Sequence, residues 1–240
     1  NDMTADDQAK FFRSYTLKTD QPWLKIDKSS TFIRGTGEAV INVTYRAELL
    51  KQPGLYVGKV IAYPKSGSGR NIPEFELLNT IIVPYQFSSH NGYQLKIQSK
   101  TLDNGDYHRY FVLVPPGATG MNIELAATPG KYCGVHGYIP DPEGIKHDVL
   151  HPIDTKTKKL STCSILGEDL MPGVWEIVPY AFYHLKGTST YDLKVTFSGI
   201  EIEQNQLTSI EYENGKNPEG SFEALSHFDL FERTVKGTIT

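Results

Sequence analysis

Apolar residues at every second position, in short runs cut by glycine and proline, limit this chain to an all-β fold. In "EAVINVTY" (38–45), Ala39, Ile41, Val43 and Tyr45 share one face of an extended strand, and Glu38, Val40, Asn42 and Thr44 the other. "GLYVGKVIAY" (54–63) repeats the alternation, with Leu55, Val57, Lys59 and Ile61 against Tyr56, Gly58, Val60 and Ala62. "FELLNTIIVPYQF" (75–87) is a β-branched run, and its Pro84, which lacks an N–H for the ladder, places it at a sheet edge or a bend. Further strands are expected in "YQLKIQSKT", "HRYFVLV", "MNIELAA", "KYCGVHGYI", "VWEIVPYAFY" and "YDLKVTFSGIEIE". Between the early runs, "KQPG" and "KSGSGRNIP" have turn composition. A helical signal is confined to the first dozen residues. Strands this short and this often punctuated build β-sandwiches.

At 240 residues and 39% hydrophobic, the chain has material for one large or two ordinary cores. "FSSHNG" (87–92) is polar, contains Gly and follows a set of about six strands, a usual sandwich complement, so a boundary is expected there. The expected division is 1–88, 89–200 and 201–240, the last comprising extra strands or the start of a further domain after the loop "YENGKNPEGS". The formal net charge of −4, with no basic patch, argues against a nucleic-acid partner. The longest apolar runs, such as "TIIVPY" (80–85), are too short to span a bilayer. The start, "NDMTADDQAK", is acidic and polar, unlike a signal peptide, and suits a processed or excised segment. Cys133 and Cys163 are too few for a zinc site, and their spacing leaves a disulfide and two free thiols equally open. "NVT" at Asn42–Thr44 matches a glycosylation sequon but falls in an expected strand, so we read it as chance.

The order of the motifs carries a family resemblance. "QPWLKI" (21–26), "INV" (41–43), "KQPGLYVGKVIAY" (51–63) and "NTIIVPY" (79–85) resemble the fibronectin- or immunoglobulin-like domain that follows the catalytic domain in many subtilisin-family serine peptidases. "HRYFVLVPPGATGMNIEL" (108–125) and "YDLKVTFSGI" (191–200) resemble the β-sandwich region further downstream in tripeptidyl-peptidase II and related large subtilases. The resemblance implies two sandwiches, the first fibronectin III/Ig-like and the second jelly-roll-like, with "VPPGAT" as an architectural turn whose Pro-Gly pair fixes a tight connection.

A catalytic role finds little support in the motifs. A subtilase needs Asp, His and Ser in that chain order. Here "HGY" (136–138), "DTK" (154–156) and "GTST" (187–190) imitate its three signatures in the order His136, Asp154, Ser189, each with a defining residue missing. No catalytic residue and no cofactor is therefore expected. "DNGD" offers Asp103 and Asp106 as oxygen ligands for Ca²⁺, but Asn-Gly is foremost a hairpin signal, so these two remain the metal candidates behind a turn reading. "DPEG" (141–144) reads as a turn. His136, His147, His151 and His184 would need to converge to hold a metal. His147 and His151 alone have one-helical-face spacing, and Pro152 discourages a helix, so "IKHDVLHPID" is expected as a solvated loop. Trp175, Tyr180, Phe182 and Tyr183 are either a sugar-binding platform or core residues of one strand, and the alternation favours the core.

Two functions follow. The resemblance implies a non-catalytic accessory segment of a subtilisin-like serine peptidase, serving stability, substrate access or assembly. Its partner would be the catalytic domain of the same polypeptide, with homo-oligomerisation left open. The loop at 65–75 and the tail at 228–239 are the expected contact surfaces. The alternative is a secreted carbohydrate-binding or adhesion module. A secreted or periplasmic location is expected ahead of a cytoplasmic one. An apolar patch on one side with a buried aromatic set marks the first function, and an exposed planar aromatic row the second.

Overall fold

The computed structural model describes residues 4–65, 72–156, 158–183, 187–202, 220–226 and 233–239, of which 146–148 and those from 200 onward by backbone alone. The chain divides into two compact units, 1–83 and 84–240. Both are β-structures. Among the described residues no helix is long and apolar enough to cross a membrane.

The first unit begins with helix α1 (Ala5–Lys10), capped where the Thr4 side chain accepts a hydrogen bond from the Asp7 N–H, with acidic residues in its first turn and Lys10 in its last. Six strands follow: β1 (Phe12–Thr19), β2 (Leu24–Ile26), β3 (Ser30–Arg34), β4 (Val43–Tyr45), β5 (Gly54–Pro64) and β6 (Phe75–Val83). They form an antiparallel sheet in the order β3-β1-β5-β6 and a short ribbon β2-β4. β6 is an edge strand, and Pro84 stands just beyond its end, where no ladder N–H is needed. The alternation in β5 resolves with Gly58, Val60 and Ala62 inward, against Tyr15 and Leu17 of β1, Trp23 and Leu24. A Cβ on Gly58 would fall 2.9 Å from the Trp23 indole, so the bare backbone here makes room for the largest side chain of this core.

One expectation shortens. "EAVINVTY" forms a ladder only at Val43–Tyr45, although Ile41 and Val43 still turn toward the core. Asn42 thus lies before the strand rather than inside it, exposed, with its Nδ2 donating to Asp27 Oδ2 at 2.7 Å.

The second unit contains β7 (Gln94–Leu102), β8 (Tyr110–Leu113), β9 (Ala118–Ala127), β10 (Gly134–Pro140), β11 (Lys146–Asp154), β12 (Leu160–Leu166), β13 (Val174–Ala181), β14 (Ser189–Ile202), β15 (Gly220–Ser226) and β16 (Arg233–Ile239). One sheet runs β11-β10-β13-β8. The other runs β12-β9-β14-β15-β16, with β7 also paired to β14. Trp175 and Ile177 of β13 project inward and cluster with Met121, Ile123 and Leu125 of β9 and Leu193 and Phe197 of β14. Alternate positions of each strand supply this core, as period-two patterning requires.

"VPPGAT" carries the chain from β8 in one sheet to β9 in the other. Ala118 N–H donates to Pro115 O at 3.2 Å, and Gly117 occupies the left-handed region (φ 79°) that Pro-Pro-Gly offers at the third turn position. "DPEG" joins the hairpin β10–β11, with the Asp141 carboxylate accepting from the N–H groups of Glu143 and Ile145.

Two readings are corrected. "DNGD" is a turn, closed by Asp106 N–H on Asp103 O at 3.0 Å, but not a hairpin: β7 pairs with β14 and β8 with β13. Turn chemistry reverses the chain and leaves open which ladder receives it. "IKHDVLHPID" is strand β11, not a loop. β11 is the edge of its sheet, so Pro152 is tolerated there.

Candidate functional site

The subtilase-like imitations are dispersed into structural roles. Ser189, at the start of β14, is fully buried, and its Oγ accepts a hydrogen bond from Gly134 N–H at 3.1 Å. An Oγ held this way inside a sandwich has no access to a substrate carbonyl. Asp154, at the end of β11, accepts from the Lys156 N–H and belongs to a turn. His136 is packed by three rings: Phe182 stacked at 4.7 Å between centroids, Tyr180 at 5.0 Å and Tyr138 at 5.2 Å edge-on.

Asp103 and Asp106 are both exposed in the "DNGD" turn, and Asp103 Oδ1 accepts from the Thr188 hydroxyl at 2.9 Å. Among the described residues no group of three or more His, Cys, Asp and Glu converges in a metal-binding arrangement. His151 is exposed on β11, while His184 and the side chain of His147 lie outside the described residues. The aromatic quartet splits: Trp175 is buried in the core, Tyr180 and Phe182 pack against His136, and Tyr183 is exposed. Cys133 and Cys163 are buried free thiols. Burial pushes the Cys133 thiol up to about 11, with Asp154 and Asp192 acting in the same direction.

A buried polar chain runs through the second core. The Tyr191 hydroxyl lies 2.7 Å from the Tyr110 hydroxyl and 2.7 Å from His108 Nδ1. Burial holds His108 below its ordinary value, Lys100 adds to this, and Asp106 opposes it. Burial among rings lowers His136 likewise. A histidine depressed in the folded state binds fewer protons than in the unfolded chain, so its contribution is complete above the unfolded value of about 6.5 and is lost as pH falls below it, down to the folded-state value. The melting temperature is expected to be lower at about pH 5.5 than at about pH 7.5. Replacing both residues (His108→Gln with His136→Phe) should flatten that dependence. An unchanged slope in thermal unfolding would show that neither histidine carries it.

The surface that departs most from an ordinary sandwich is the outer face of the first unit. An antiparallel sheet with one solvated face usually presents polar residues there. On β5 and β6 the outward positions include Leu55 (38% exposed), Val57 (44%), Leu78 (64%) and Ile82 (45%) beside Lys59, Glu76 and Thr80. The register places Leu55 directly opposite Ile82, Val57 opposite Thr80, and Lys59 opposite Leu78. The ion pair Lys59–Glu76, 2.6 Å, borders the patch. Farther across the same face, Phe12 of β1 and Phe32 of β3 stack at 5.8 Å, both exposed. The signal was present in the sequence, because both parities of "GLYVGKVIAY" are apolar where a half-solvated strand should be apolar on one. Of the contact surfaces expected from the sequence, residues 66–71 and 227–232 lie outside the described residues.

No family model matches the chain. Over 168 residues, 70% of its length, the chain is 34% identical to pyrolysin of Pyrococcus furiosus, of which it spans 11%. Its fold is similar to part of tripeptidyl peptidase 2 (TPP II), with a TM-score of 0.63 over 94% of this chain and 19% of that one, at 18% identity. The chain is a β-sandwich region of the kind associated with subtilisin-like peptidases.

Proposed function

We propose that this chain is a non-catalytic accessory segment of a subtilisin-like serine peptidase, and that the outer face of β5 and β6 packs against another domain of the same polypeptide, the catalytic domain foremost. The apolar face formed by Leu55, Val57, Leu78 and Ile82 carries the reading. Contiguous exposed apolar surface on a sheet marks a contact surface. The similarity to one stretch of pyrolysin supports a place within a longer peptidase chain. We further propose the first unit as the fibronectin- or immunoglobulin-like sandwich and the second as the jelly-roll-like one, on the evidence of their separate sheets and cores. Burial of Trp175 removes the centre of a glycan platform and weighs against the carbohydrate-binding alternative.

The double variant Leu78→Asp with Ile82→Asp tests the proposal. Both side chains are exposed, so unfolding of the isolated chain should shift by no more than about 0.5 kcal/mol per site. Association with the separately produced remainder of the parent polypeptide, measured by calorimetry, should weaken at least about tenfold, since two charges would be buried unpaired. Unchanged association, or a collapse of the isolated chain, would count against this face as the contact.

A further inference from the structure

A second feature of the surface, independent of the apolar face, lies at one end of the second unit. The turn after β9, closed by Lys131 N–H on Thr128 O at 3.1 Å, stands beside the start of β12. The two are tied where Ala127 N–H donates to Lys159 O at 2.8 Å. Between them, and beside Thr155 of the β11–β12 connection, opens a groove of about 590 Å³. Lys131 and Lys159 line it, together with Pro129, Tyr132, Thr128 and Thr155. Lys156 and Lys158 belong to the same connection as Thr155 and are exposed.

Four lysines outnumber the two carboxylates, Asp154 and Asp192, that lie beside them. Among the described residues none of these four lysines forms an ion pair. The two neighbouring carboxylates accept from neutral donors: Asp192 Oδ1 from Ser99 N–H and from the Thr128 hydroxyl, both at 2.7 Å, and Asp154 Oδ1 from Lys156 N–H. A chain with a net charge of −4 thus carries a local excess of lysine at this groove. The lining is mixed, with ammonium groups beside the Tyr132 ring and the Pro129 and Ala127 side chains. A phosphate-dense polymer would call for a longer basic stripe. Alternating carboxylates and apolar side chains match the mixed lining better, since carboxylates meet lysines as charge-assisted partners and apolar groups cover the ring.

We propose that this groove binds an acidic peptide segment in which carboxylates alternate with apolar residues, held by Lys131 and Lys159. The inference does not depend on the accessory role argued above.

The test is fluorescence anisotropy with the intact chain and a labelled, capped peptide of sequence Glu-Leu-Glu-Glu-Leu-Glu. Binding is expected to weaken at least about tenfold in the double variant Lys131→Gln with Lys159→Gln, and to weaken as salt rises from about 0.05 M to about 0.3 M. The double variant with Arg at both positions should bind within about threefold of the original, because the charge is kept. Both lysines are exposed, and circular dichroism of each variant confirms folding. Absence of binding, binding unaffected by the Gln pair, or binding of a heparin hexasaccharide with no binding of the peptide would each overturn the proposal.

Discussion

Trp175→Ala should destabilise the second unit by about 3–5 kcal/mol, the loss expected when a fully buried indole is removed from a packed core. Trp175 has no exposed surface and sits opposite Val112 of β8, itself fully buried. Its Nε1–H donates to Met171 O at 2.8 Å, so truncation removes the donor from a partly buried carbonyl as well as leaving a cavity. The two facing sheets are each fixed by their own ladders, which limits how far they can collapse into the space. For a unit of this size each kcal/mol lowers the melting temperature by about 2–4 °C, so a drop on the order of 10 °C is expected. Urea unfolding followed by far-ultraviolet circular dichroism measures it. An unchanged midpoint, combined with lost binding on a glycan array, would restore the carbohydrate-binding reading of this aromatic strand.

The parity of the strands could be read directly from the sequence. Gly58, Val60 and Ala62 form one side of β5, and Trp175 and Ile177 one side of β13, because side-chain direction in a strand depends only on odd or even position. Turns were legible where their chemistry is local, as in "VPPGAT" and "DPEG". Strand partnership was not. The Asn-Gly signal of "DNGD" specifies positive φ at Gly105, observed at 81°, and says nothing of whether the next strand returns to the same sheet. Pro152 misled for a related reason: proline excludes a helix and a central strand, while an edge strand accepts it, and edge position is a property of the whole sheet.

The surfaces divide in the same way. The apolar face of the first unit was visible as apolar residues at both parities of β5. The lysine groove was not, because Lys131 and Lys159 belong to different turns and meet only through the pairing of β9 with β12, in which Leu160 lies opposite Ala126. Sequence spacing carries no trace of that register.

The largest effect expected from a single methyl group is at Gly199. This residue of β14 pairs with Ala118 just after a shift in register, where the strand passes over the "VPPGAT" turn. A Cβ placed there would fall 2.2 Å from Gly117 O and 2.8 Å from Ala118 Cα. Both are backbone atoms, so no side chain can rotate aside. The β9–β14 ladder would have to part locally or the turn would have to reopen. Gly199→Ala is therefore expected to cost about 3 kcal/mol, the upper end of overpacking penalties. Gly130→Ala is the comparison that isolates the cause. Gly130 is left-handed (φ 73°) in an exposed turn, with open space where the methyl would go. Its replacement meets only the conformational penalty of roughly 1–2 kcal/mol. Chemical unfolding of the two variants should thus rank Gly199→Ala clearly below Gly130→Ala in stability. Equal midpoints would show that β14 and the Pro-Pro-Gly turn do not interlock as described. A larger loss at Gly199 would identify the close backbone approach as the feature that fixes the turn linking the two sheets.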